Sequence, residues 1–252
     1  MTNITTILNR DGIKLAYDYG VGRAPVIVFL SGFRSDMAGT KAQFLKQQCM
    51  ARGQSYLLLD YSGHGQSGGE FTDGSIKSWC DDALDVIDAV LPLDAPLLVV
   101  GSSMGGWIAL HIALKCASRV RGMVGIAPAP DFTRDIWNNE LDDAGRDLIK
   151  RDGVIYQPSE YGDPFPITYK LLIDSDSMCL MDAPIDLSIP VALLHGKMDT
   201  DVPWQLSQKL AQNLPNATVN AHFIADGDHR LSRDQDLSLL WRAVLDILGK
   251  IS

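Results

Sequence analysis

No apolar stretch in these 252 residues approaches the roughly 18 needed to cross a bilayer, so no integral membrane segment is expected. The first residues, Met1-Thr2-Asn3-Ile4, have neither the basic nor the apolar region of an export signal, and a cytoplasmic protein is the expectation. Positive charge is scarce. Lys and Arg number 22 against 31 Asp and Glu, a formal net charge of -9, and no basic run makes a local exception, which argues against nucleic acid as a partner. Cysteine is sparse as well: Cys49, Cys80, Cys116 and Cys179 lie far apart with no C-x-x-C pair, which suggests neither a metal site nor a disulfide framework and leaves them as reduced core residues. Repeats and low-complexity tracts are absent too. What remains, 46% hydrophobic and 21% charged, suits one globular domain over residues 1–252.

Short apolar runs at 26–30, 56–59, 97–100, 123–126 and 191–194 fit strands buried on both faces. Between them the patterns at 38–52, 75–91, 104–116, 204–214 and 235–248 have helical period. The alternation predicts an α/β fold, with a mostly parallel central sheet and helices on both faces. An antiparallel pair is expected at the start, where 4–8 and 14–19 flank Asn9-Arg10-Asp11-Gly12 with its Asp-Gly hairpin step. Residues 131–187 break the βα rhythm with aromatic residues and four prolines, Pro158, Pro164, Pro166 and Pro184, and read as a cap or lid insertion.

After the run 97–100 comes Gly101-Ser102-Ser103-Met104-Gly105-Gly106, followed by a helical pattern. This is G-x-S-x-G in a strand-turn-helix setting, where small neighbours let a strained serine project above the sheet. A phosphate loop is disfavoured, since neither G-x-x-x-x-G-K nor G-x-G-x-x-G is present at the turn. Ser103 as nucleophile needs a base, and the five histidines can be weighed in turn. His111 is about 12 Å further along the helix at 1.5 Å per residue, beyond hydrogen-bond reach. His64 sits in a Gly63-His64-Gly65 turn, His195 ends a strand and shapes the turn after it, and His222 reads as a solvent-facing strand residue. His229 remains, in a loop before the last helix, where loops at the carboxyl ends of parallel strands converge. Asp199, after the run 191–194, is preferred as the orienting acid over its close rival Asp201, and the order Ser, Asp, His agrees with this architecture. For the oxyanion the expected donors are the amides of Met104 and of Phe33, in Ser31-Gly32-Phe33-Arg34. Arg34 has the charge to hold an anionic substrate group, with a solvated or salt-bridged arginine as the plainer reading. Trp137, Tyr156 and Tyr161 are expected either to line an apolar acyl pocket under a partly mobile cap or only to anchor the insertion.

These motifs, with Asp60-Tyr61-Ser62-Gly63-His64-Gly65-Gln66-Ser67 and His195-Gly196-x-x-Asp199-x-x-Val202-Pro203, resemble the α/β hydrolases over nearly the whole chain outside 131–187. Gly39-Thr40-Lys41-Ala42, Gly101 to Trp107, Val202-Pro203-Trp204 and Asp228-His229-Arg230 are similar to the branch holding a mitochondrial acyl-protein thioesterase that also cleaves acyl glucuronides. The resemblance implies a cofactor-free serine hydrolase acting through an acyl-enzyme on carboxylic esters or thioesters, with S-acyl cysteines such as palmitoyl-cysteine, and hence acylated protein, among its substrates. The same fold and triad also serve perhydrolases, carbon-carbon hydrolases and peptidases. A non-catalytic descendant that binds a small ligand is the reading from another class. The presence of serine, acid and base together speaks against it.

Overall fold

The structure is a computed structural model that describes residues 5–159 and 162–251. At the start, Gly12 takes φ 77°, and the Asn9 side chain accepts the amides of Asp11 and Ile13 at 3.0 and 2.9 Å. That turn joins β1 (Thr5–Leu8) to β2 (Lys14–Gly20) as an antiparallel pair. The chain continues through β3 (Arg23–Leu30), α1 (Thr40–Arg52), β4 (Gln54–Leu59), α2 (Ile76–Val90), β5 (Leu97–Ser102), α3 (Met104–Lys115) and β6 (Val120–Ile126). After an insertion come β9 (Pro190–Gly196), α7 (Gln205–Gln212), β10 (Thr218–Ile224) and α8 (Asp234–Ile251); the insertion itself holds α4 (Phe132–Asp135), α5 (Asp143–Asp152), β7 (Val154–Ser159), β8 (Gly162–Thr168) and α6 (Tyr169–Asp176).

The main sheet has eight strands in the order β1-β2-β4-β3-β5-β6-β9-β10. β2 runs antiparallel to β4, and every pair from β4 onward is parallel. Side chains of a strand alternate between faces, so a strand covered on both sides must be apolar at every position. In β3, Val26, Val28 and Leu30 join one core with α2 and α3, while Ile27 and Phe29 join the other with α1 and α8. β5 divides in the same way, Leu97 and Val99 to the first core and Leu98 and Val100 to the second.

The helices cover these faces with stripes at helical spacing. In α8 the stripe is Leu237, Leu240, Val244 and Ile247, with Asp234 and Asp236 in the first turn, where the helix dipole favours negative charge. In α2 it is Ile76, Trp79, Ala83 and Val86, and Ser75 and Ser78 close a capping box at its N-terminus.

One correction concerns 131–187. The stretch is not irregular, because β7 and β8 form their own antiparallel two-stranded sheet between two helices. The prolines hid that signal. In a two-stranded ribbon both strands are edges, so the missing N–H of Pro166 opposite Tyr156 costs no inner ladder bond. The insertion packs onto the rest of the chain: Ile136, Ile149, Ile167, Leu171 and Leu172 belong to the same core as α2 and α3. Trp107 Nε1 and the ring of His111 both reach the Met178 carbonyl, at 2.9 and 2.7 Å, and Ser175 Oγ accepts the Ile76 amide at 3.1 Å.

Candidate active site

β5 runs into α3 with no room for side chains around the turn. A Cβ on Gly105 would lie 2.0 Å from the Leu30 carbonyl oxygen, and one on Gly101 would lie 2.2 Å from that of Gly105. Ser103 between them takes φ 53° and ψ -118°, a strained backbone for a residue with a side chain. Three bonds pin it there: its amide donates to the Ile126 carbonyl at 2.8 Å, and its carbonyl accepts the amides of Gly106 and Ala129 at 2.8 and 3.1 Å.

The loops after β9 and β10 meet beside this turn because two glycines let their backbones touch. A Cβ on Gly196 would sit 2.2 Å from the Gly227 carbonyl, which accepts the Met198 amide at 2.9 Å. The contact brings Asp199 and His229 to Ser103. His229 Nδ1 donates to Asp199 Oδ2 at 2.7 Å, and the Ser103 hydroxyl donates to His229 Nε2 at 3.1 Å. The Asp199 side chain is fully buried, whereas that of His229 keeps 16% exposure.

The Asp199 carboxylate accepts two further kinds of bond. Oδ1 takes the backbone amides of Asp201 and Val202 at 3.0 and 2.8 Å, and Oδ2 also takes His195 Nε2 at 3.1 Å. Burial by itself would raise this carboxyl's pKa. The bonds from His195 and His229 and the backbone amide of Val202 outweigh it and hold the group well below the usual carboxylate range, as an anion. Its rival Asp201 contributes its amide to Asp199, and its side chain lies on the exposed side of the loop.

On the opposite side of Ser103 the loop after β3 closes in, with a Cβ on Gly32 lying 3.3 Å from the Ser102 carbonyl and 3.4 Å from Ser103 Cβ. Asp60 steadies this loop by accepting the Met37 amide at 2.7 Å and the Gln66 amide at 2.9 Å, which gives the Asp60 to Ser67 motif its structural task. Among the described residues, neither the Phe33 nor the Met104 amide is engaged in a hydrogen bond. Met104 opens α3, where the first amides lack intrahelical partners. The Phe33 ring makes edge contacts with Phe71, Trp79, Phe132 and Phe165, at centroid distances of 4.9 to 5.9 Å.

Of the other expected pocket residues, Trp137, Tyr156 and Arg34 are among those described. Trp137 packs on Tyr169 at 6.0 Å with Lys150 Nζ 5.5 Å over its ring, inside the insertion. Tyr156 is 66% exposed on β7, and Arg34 is exposed at φ 56°. Tyr161 lies outside the described residues. In the loop after β3, Phe33 instead clusters with Phe71, Phe132 and Phe165, whose spacing of tens of residues carries no local signal. Sequence reasoning also assigned His195 only to its turn. The side chain is fully buried and bonded to Asp199; the i, i+4 separation of His195 and Asp199 was the available clue. His64 is buried against Tyr61, Phe71 and Trp79, with burial lowering its pKa. His222 is half-buried on the edge strand β10. Among the described residues no three His, Cys, Asp or Glu side chains are grouped to hold a metal ion, and no helix is long and apolar enough to cross a membrane.

Comparison with known proteins agrees with this architecture. A family model described as serine aminopeptidase, S33, matches residues 23–145. The mitochondrial palmitoyl-protein thioesterase ABHD10 of Bos taurus is 33% identical, over 100% of this chain and 82% of its own length. Among solved structures, mouse ABHD10 superposes with a TM-score of 0.91 at 32% identity, covering 99% of this chain and 100% of its own. A protein from Agrobacterium vitis S4 described as a hydrolase gives 0.92 at 38%, covering 100% and 99%.

Proposed function

The chain belongs to the α/β-hydrolase family, as an esterase or thioesterase akin to the ABHD10 thioesterases, and on that premise we propose that it works through a Ser103–His229–Asp199 triad and a covalent acyl-enzyme. The observation that carries this reading is the unbroken line of hydrogen bonds from Ser103 Oγ to His229 Nε2 at 3.1 Å and from His229 Nδ1 to Asp199 Oδ2 at 2.7 Å. Ser103 Oγ attacks the acyl carbonyl carbon as its proton passes to His229 Nε2, and the carbonyl π electrons move onto oxygen. The oxyanion accepts from the Phe33 and Met104 amides, which no other described group engages. His229 then returns its proton to the departing alcohol or thiol as the carbon–heteroatom bond breaks. Water, deprotonated by His229, then attacks the acyl carbon, and as the bond to Ser103 Oγ breaks His229 returns the proton to Oγ, which frees the acid and Ser103. Asp199 stays an anion throughout and balances the imidazolium.

The substrate class we propose is the S-acyl cysteine of an acylated protein, together with simple carboxylic esters. Support comes from the palmitoyl-protein thioesterase function in the names of the ABHD10 relatives and from the apolar ring cluster around Phe33, beside the proposed oxyanion donor. A fluorophosphonate probe followed by peptide mass analysis tests the nucleophile, and labelling on the Ser103 peptide is expected. Labelling that persists in Ser103→Ala overturns it. Turnover of S-palmitoyl peptide, acyl-CoA and p-nitrophenyl esters side by side tests the substrate class, and absence of S-acyl peptide cleavage in an enzyme active on esters overturns that part alone.

A further inference from the structure

Asp199 Oδ2 is shared between two histidines, and only one of them reaches the nucleophile. The second, His195, is the penultimate residue of β9, with its side chain fully buried. Its Nε2 faces two oxygens that only accept, Asp199 Oδ2 at 3.1 Å and the Val202 carbonyl at 3.0 Å, so the ring hydrogen is on Nε2. In the neutral ring Nδ1 is then an acceptor, and the Ser207 hydroxyl of α7 donates to it at 2.7 Å. Ser207 is itself completely buried. A continuous line of donors therefore runs from Ser207 through His195 to the carboxylate, and from the other side Ser103 through His229 to the same oxygen atom.

We propose that His195, held by Ser207, is a positioning residue of the triad, one that fixes the plane of the Asp199 carboxylate and tempers its pull on the His229 proton. This rests on reading Asp199 as the triad acid. Oδ1 is anchored by the Asp201 and Val202 amides. Without His195, Oδ2 would have His229 as its single described partner, and the carboxylate could pivot about the held Oδ1 with the imidazole instead of setting its angle. Each donor also spreads the negative charge of the anion. Losing one makes Oδ2 a stronger acceptor, which favours the protonated form of His229 and leaves less of it as a free base. His195 is a donor arm of the acid, reaching the reacting atoms only through Asp199.

The test compares His195→Leu, His195→Gln, Ser207→Ala and Asp199→Asn on a p-nitrophenyl ester, with kcat, KM, Tm and the pH profile of kcat/KM measured for each. Glutamine places an amide N–H near the site of Nε2 and restores the donor. His195→Leu is expected to lower kcat by about 10- to 100-fold, since small misplacements at a reacting centre cost rate on this scale. KM should change less than about threefold, because ground-state binding is untouched. The acidic limb of the profile should move upward by up to about one pH unit, where one unit is 1.36 kcal/mol. His195→Gln should recover most of kcat and return the limb toward the wild-type position. If the leucine variant does not fold, Ser207→Ala, a one-atom deletion, still decides the matter, with a smaller fall in kcat and the same direction of limb movement expected. Charged groups around the His229 loop, namely Asp228 and Arg230, Lys41 from α1 and Asp236 from α8, are unchanged in the His195 and Ser207 variants. Losses that follow Tm alone with an unmoved limb, equal losses in the leucine and glutamine variants, or a wild-type profile in Ser207→Ala would overturn the proposal. Asp199→Asn separates the two levels. A loss of about 10⁴ in kcat sustains the triad reading whatever His195 does, whereas full activity there overturns both.

Discussion

Ser103 combines the proposed chemistry with a conformational cost, since φ 53° with ψ -118° suits glycine far better than any L side chain. Both consequences are open to measurement. Ser103→Ala is expected to lower kcat by up to about 10⁶ with an unchanged circular dichroism spectrum, as for removal of a triad nucleophile. Ser103→Gly should be equally inactive yet more stable than the alanine variant by about 1 kcal/mol or more, because glycine relieves the backbone strain. A glycine variant that melts no higher than the alanine one would show that the turn is relaxed. Asp199 and Asp201 invite a similar comparison. Asp199→Asn is expected to cost about 10⁴ in kcat and Asp201→Asn less than tenfold, because the carboxylate of Asp199 bonds His229 whereas Asp201 meets Asp199 through its backbone amide. Equal losses, or the reverse order, would reassign the acid.

At the level of elements, the site is a meeting of four loops made possible by missing side chains. Gly105→Ala would drive a Cβ to 2.0 Å from the Leu30 backbone oxygen, which cannot swing aside. A destabilisation of about 3 kcal/mol or more, read by denaturant unfolding, is expected from overpacking of this kind. Gly196→Ala meets the Gly227 carbonyl at 2.2 Å and should part the Asp199 and His229 loops, lowering kcat more than it lowers Tm. The β7–β8 hairpin places Phe165 edge-on to Phe33. If these rings line the acyl site, each methylene that fits should raise kcat/KM by up to about fourfold across acetyl to decanoyl esters, at about 0.8 kcal/mol per methylene. Phe165→Ala should flatten that rise while sparing the acetyl ester. A flat series in the wild type would leave the hairpin a packing element.

Across the whole molecule, Lys41 at the start of α1 donates to the Arg230 carbonyl at 2.5 Å and so ties an early helix to the His229 loop. Burial pushes its pKa down from 10.5 to about 8, although Asp228 and Asp236 pull the other way. Between these two values the unfolded chain binds a proton that the folded chain has released, so this group adds stability as pH rises through the window. Lys41→Met removes that dependence. The Tm of the wild type relative to the variant should therefore climb from about pH 8 to about pH 10.5, and a difference independent of pH would show that the ammonium is not buried in the folded state.

The sequence alone determined the features that depend on local chemistry. Strands buried on both faces are written as uninterrupted apolar runs, and five of these at 26–30, 56–59, 97–100, 123–126 and 191–194 lie within β3, β4, β5, β6 and β9. The strained serine turn was legible because only glycine tolerates its close backbone contacts. Ser103, Asp199 and His229 were found by position, each just beyond a strand's carboxyl end, and the structure draws them into one hydrogen-bonded line. Contacts between distant segments were beyond such reading. The prolines of 131–187 concealed a hairpin whose tolerance for them depends on its being all edge. Phe132 and Phe165 reach Phe33 and Phe71 only because the insertion packs back onto the loop after β3. The second histidine on Asp199 was hidden for the same reason. Whether a histidine at a strand end faces solvent, a turn or a buried carboxylate depends on how the loop after β9 folds and where α7 packs, and no local pattern of residues encodes that.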